Sequence, residues 1–119
     1  MKIYYGKNVY GKEEIKAVTQ QLNKSTQMGL SVQKFEEKIS NYFSKKYGLM
    51  VNSGSSAIML AVKVLDLKKG DEVITPCLNF GTAISSLMHY GVEPIFVDIK
   101  IETLQIDIEK LEKKITKKT

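Results

Sequence analysis

Asn52-Ser53-Gly54-Ser55-Ser56-Ala57 is the segment of this sequence best suited to chemistry. It follows the short apolar run Leu49-Met50-Val51 and leads into a stretch, residues 57–65, that is apolar on nearly every side. That order reads as a buried strand, a tight turn and a buried helix. At such a helix start the amides of Ser55, Ser56 and Ala57 have no partner within the helix, and the positive end of the helix dipole lies behind them. Gly54 lets the backbone come close to a ligand, while Ser55 and Ser56 add hydroxyl donors, so the turn is suited to an anion. The helix end alone would favour a phosphate there by about 0.3–2 kcal/mol. A plainer reading stands beside this one, in which Ser53 or Ser55 N-caps the helix and Gly54 merely serves the turn. The segment is neither a P-loop nor a dinucleotide fingerprint, and Lys63 falls inside the helix rather than beside the glycine. A phosphate carried by a smaller cofactor fits better.

The turn Pro76-Cys77-Leu78-Asn79-Phe80-Gly81-Thr82 puts an aromatic ring just past another strand end, at the same rim as the serine turn. Phe80 could stack there on a flat ligand, or it could belong to the core. The single cysteine, Cys77, cannot form an intrachain disulfide, and with the lone His89 it cannot make a metal site of the usual ligand count. Both residues read as structural. The formal net charge is +5, but many of the lysines fall in the groups Lys63-Lys68-Lys69 and Lys110-Lys113-Lys114-Lys117-Lys118. Lysines dispersed among glutamates mark solvated helix faces, so nucleic acid is not expected as a partner. There is no apolar run of about eighteen residues, so no membrane association is expected and the chain reads as soluble and cytoplasmic.

Several elements must position these turns. Ile15, Val18 and Leu22 recur at helical spacing over residues 10–24, with Glu13 and Glu14 in the first turn. After a break at Met28-Gly29, Val32, Phe35, Ile39 and Tyr42-Phe43 mark a second helix that should end near Lys46, ahead of Gly48. The strand at residues 49–51 and its helix follow. Gly70-Asp71 is a turn, residues 72–75 a second strand ended by Pro76, residues 82–90 a helix ended by Gly91, and residues 94–97 a third strand. The class is therefore α/β: two helices, then βαβαβ with parallel strands. Asp107 should cap a last helix carrying Ile108, Leu111 and Ile115. A sheet of three parallel strands has exposed edges, so residues 1–119 are expected to be an incomplete domain.

Five segments, in order, carry a resemblance: Tyr10-Gly11-Lys12-Glu13-Glu14-Ile15, Val32-Gln33-Lys34-Phe35-Glu36-Glu37, Val51-Asn52-Ser53-Gly54-Ser55-Ser56-Ala57, Gly70-Asp71-Glu72-Val73-Ile74-Thr75-Pro76, and Gly91-Val92-Glu93-Pro94-Ile95-Phe96-Val97-Asp98-Ile99. Together they resemble the DegT/DnrJ/EryC1/StrS family of pyridoxal-phosphate enzymes, which act on nucleotide-linked keto sugars. The resemblance implies the large, cofactor-binding domain of a fold-type I enzyme, with pyridoxal 5'-phosphate held at Gly54, Ser55, Ser56 and Ala57 and Phe80 over its ring. It implies that Gly29 lies in a loop near the sugar-nucleotide substrate, and that the parent enzyme is a homodimer using an amino-acid donor. Asp98 reads as structural or as a strand-end cap, because the family takes its pyridinium partner from a later strand. None of the lysines matches the family's cofactor-bonding position, so no catalytic residue is assigned and the chain alone is expected to be inactive. Transaminases of the family carry lysine at that position and the related 3-dehydrases histidine. Gly54-Ser55-Ser56-Ala57, Met28-Gly29 and Thr82 lean toward the dehydrases, and the family's general make-up toward the transaminases. A phosphate-binding α/β module without catalysis is the remaining alternative.

Overall fold

Two features of the backbone dominate the fold: an αα pair early in the chain and a βαβ unit later. The computed structural model describes residues 3–27 and 29–119. They form two compact units, Met1–Met50 and Val51–Thr119.

In the first unit, α1 spans Lys12–Lys24 and α2 spans Leu30–Tyr42. The start of α1 is fixed by Glu14, whose carboxylate accepts the Gly11 amide at 2.7 Å, while the Ile15 amide closes the first turn on the Gly11 carbonyl. The second helix stops at Tyr42, short of the expected Lys46. Ser44 takes a left-handed conformation (φ 53°), the Ser44 amide bonds the Asn41 carbonyl and the Lys45 amide bonds the Ser40 carbonyl. These are the paired closing bonds of a Schellman ending, here made without glycine. Met28 lies outside the described residues, so its part in the break before α2 is not described.

The second unit opens with α3 (Gly54–Val64), followed by β1 (Glu72–Pro76), α4 (Gly81–His89) and β2 (Glu93–Val97). β1 and β2 pair in parallel from Glu72 opposite Glu93 to Pro76 opposite Val97, with α4 as the crossover. Val62 of α3, Leu87 of α4 and Val92 form the core, joined by Leu67, Val73 and Tyr90. Val97 is almost completely buried. Two turns are tied together at the start of the sheet, where the Gly70 amide donates to the Gly91 carbonyl and the Glu93 amide to the Asp71 carbonyl. Gly91 adopts φ 71°, a conformation glycine takes without strain.

The α/β class and the parallel pair stand as expected, and besides the end of α2 three details differ. Residues 49–51 form no strand among the described residues. A strand exists only through a ladder partner, and the Met50 amide is instead bonded to the Glu36 carboxylate at 2.6 Å. A short antiparallel hairpin, β3 (Ile99–Lys100) with β4 (Gln105–Ile106), follows β2 and was not foreseen. The last helix, α5, is capped by Asp107 as expected but runs only Ile108–Leu111, continues as a 3-10 turn at Glu112–Lys114, and excludes Ile115.

Candidate functional site

The donors at the start of α3 set what the serine turn has to offer. Ser53 is the N-cap, and its hydroxyl accepts the Ser56 amide at 3.1 Å. The Ala57 amide makes the first helical bond, to the Ser53 carbonyl. The expectation that the amides of Ser55, Ser56 and Ala57 are the free ones is therefore corrected by one step. The helix begins at Gly54, so among the described residues the amides without a partner are those of Gly54 and Ser55. The Ser56 hydroxyl is also committed, donating to Asn52 Oδ1 at 2.6 Å. Ser53 caps as the plainer reading held, and the cap leaves two amides and the Ser55 hydroxyl for a ligand.

The turn after β1 is braced in a similar way. Asn79 donates through Nδ2 to the Thr75 hydroxyl at 3.0 Å, and its Oδ1 accepts the Phe80 amide at 2.7 Å. Phe80 then serves as N-cap residue of α4. Phe80 is 71% exposed and lies outside the core cluster of the second unit. The two helix starts meet through side chains, with Ser55 Oγ 3.4 Å from Thr82 Oγ1. The positions where a Cβ would sit on Gly54 and Gly81 are open, with nothing within 4 Å. Backbone amides at a helix end, a hydroxyl, an exposed aromatic face and open approach at both glycines are what a phosphorylated flat ring requires. Asn52 and Asn79, which hold the two turns, were not singled out from the sequence. The available signal was an Asx residue just ahead of each helix start.

Gly29 is the N-cap of α2 and lies in extended backbone. It borders a cleft of about 430 Å³ within the first unit, lined also by Gln21, Lys24, Ser31 and Lys34, where the Ser31 hydroxyl donates to Gln21. Asp98 behaves as a cap. Its carboxylate accepts the Ile99 amide at 2.9 Å and faces Lys110, and these two contacts hold its pKa below the usual value, the amide bond first. Cys77 is a free, solvent-accessible thiol, and His89 stacks edge-on against Tyr90.

The sequence model of the DegT/DnrJ/EryC1/StrS aminotransferase family matches residues 8–119. The spore coat polysaccharide biosynthesis protein SpsC of Bacillus subtilis is 39% identical over 97% of this chain and 30% of its own length. GDP-4-keto-6-deoxy-D-mannose 3-dehydratase of Yersinia pseudotuberculosis is 43% identical over 77% of this chain and 25% of its own. Among solved structures, the Escherichia coli GDP-4-keto-6-deoxy-D-mannose-3-dehydratase with bound hydrated PLP superposes with a TM-score of 0.88 at 38% identity, covering 95% of this chain and 31% of that one. The chain thus spans at most about a third of the length of these relatives.

Proposed function

Since the chain belongs to the DegT/DnrJ/EryC1/StrS aminotransferase family, we propose that residues 1–119 are part of the cofactor-binding domain of a pyridoxal 5'-phosphate enzyme that moves an amino group from an amino acid to a nucleotide-linked keto sugar. One observation carries this reading: two unpartnered amides, Gly54 and Ser55, open onto the same rim as an exposed Phe80. The amides and the Ser55 hydroxyl hold the phosphate, and Phe80 covers one face of the ring. Ser56 and Ala57 form the turn behind them, with Ser56 locking the cap through Asn52. When bound, the cofactor supplies an electron sink for the substrate carbon undergoing change. Gly29 borders the sugar-nucleotide site, a reading supported by the cleft beside it, where Lys24 and Lys34 offer charge to a diphosphate. The reading includes a homodimer in the cytoplasm. Among the described residues, no helix is long and apolar enough to cross a membrane.

A second reading, removal of the 3-hydroxyl from the same class of sugar, is favoured by the two dehydratases at 43% and 38% identity. Both readings share the cofactor site, and amide spectra of the chain titrated with pyridoxal phosphate and with pyridoxal test it. The Gly54 and Ser55 amides are expected to shift with the phosphorylated form and to stay in place with pyridoxal. Unchanged amides with both compounds would sink the reading. A response to inorganic phosphate equal to that for the cofactor, with no change at Phe80, would favour a phosphate-binding module without catalysis.

A further inference from the structure

We infer that Thr82 is a positioning residue for the cofactor phosphate, acting through Ser55; this rests on the site reading just given. The two residues are far apart in sequence, yet Thr82 Oγ1 lies 3.4 Å from Ser55 Oγ. The other hydroxyls of the serine turn are committed to its cap, Ser53 to the Ser56 amide and Ser56 to Asn52. Among the described residues, Thr82 is the side-chain partner left for Ser55. A serine hydroxyl turns freely and serves equally as donor or acceptor, so a neighbour decides its direction. Thr82 is suited to that task, because its branched Cβ restricts χ1 and its place in the first turn of α4 is half-buried. With a dianion at the Gly54 and Ser55 amides, the Thr82 hydroxyl donates to Ser55 Oγ and Ser55 donates its own proton to a phosphate oxygen. Each bond in such a chain polarises the next. The contact also links the start of α4, and with it Phe80, to the turn that holds the phosphate.

The test compares Thr82→Val, which keeps the shape and removes the hydroxyl, with Thr82→Ser, which restores it. Amide titrations of the 119-residue chain give affinities for pyridoxal phosphate and for pyridoxal. Thr82→Val is expected to weaken pyridoxal phosphate about three- to tenfold, as loss of one hydrogen bond between two neutral hydroxyls does, and to leave pyridoxal unchanged. Thr82→Ser should stay within about twofold of the parent chain. In a Ser55→Ala background, Thr82→Val should have no further effect, because its route runs through Ser55. Unaltered binding of pyridoxal phosphate by Thr82→Val, equal weakening of both compounds, or no rescue by serine would each overturn the inference and leave the site reading intact. If the parent chain itself failed to distinguish the two compounds, the site reading would fall, and this inference with it.

Discussion

Gly48 shows how one atom can matter at the residue scale. A Cβ built there would lie 2.7 Å from the Glu36 carbonyl oxygen, which belongs to helix backbone and cannot swing aside. Gly48→Ala is expected to destabilise the first unit by about 1–3 kcal/mol, read from a urea or thermal transition. The sequence marked Gly48 only as a helix stop. The close approach could not be seen, because it depends on where the chain returns after Ser44. Ser86 presents the opposite case. It is 1% exposed, and among the described residues its Oγ has no partner. Ser86→Ala removes a buried group that makes no bond and is expected to raise stability by about 1 kcal/mol, measured as a higher urea midpoint at unchanged slope. The two turns proposed as the site were legible from residue types, since glycine, serine and an aromatic ring just ahead of a helix keep their meaning in isolation. Which amides stay free was not, because that turns on two hydrogen bonds, from the Ser56 amide to the Ser53 hydroxyl and from the Ala57 amide to the Ser53 carbonyl.

At the scale of elements the helix starts are legible because their signals are local, period, caps and first-turn charge, whereas the ends of α2 and α5 fall short of the expected residues. The ladder at residues 49–51 was misread, because an apolar run does not say what it will pair with. The two-residue strands β3 and β4 are too short to show a period. The cap of α1 gives a pH prediction. The Gly11 amide bond, and after it the Glu14 backbone amide, hold the Glu14 carboxyl below its ordinary value. A carboxylate with a lowered folded pKa stabilises fully above its unfolded pKa, and that contribution is lost as pH falls through the folded one. Helicity of α1 should therefore decline on acidification below the ordinary glutamate range. Circular dichroism of Glu14→Gln should show lower helicity at neutral pH and a smaller acid step. An identical acid step in the variant would remove Glu14 as its source.

For the whole molecule, the structure divides unevenly between well-anchored and lightly anchored backbone. The β1–β2 ladder is backed by α4 and by Val62, Leu87, Val92 and Val97, whereas Leu49 and Val51 have no ladder. Hydrogen exchange should be slowest in β1, β2 and α4 and fast at Leu49 and Val51. Met50 should be intermediate and become fast in Glu36→Ala, since its amide bond is to that side chain. Equal exchange at residues 49–51 and in β1 would contradict the assignment. The tie between the Gly70 and Gly91 turns has a further consequence. It fixes the pairing of Glu72 with Glu93 at one end of the sheet, while the Phe80 and Thr82 turn leaves from the other end, after Pro76. A slip of one residue in that pairing would displace β1 against β2 by about 3.3 Å at the far rim and turn its side chains to the opposite face. The alignment of the rim that carries Phe80 and Thr82 is thus set by a backbone clasp a full strand length away, where a change would leave both residues in place in the sequence and still misalign them in space.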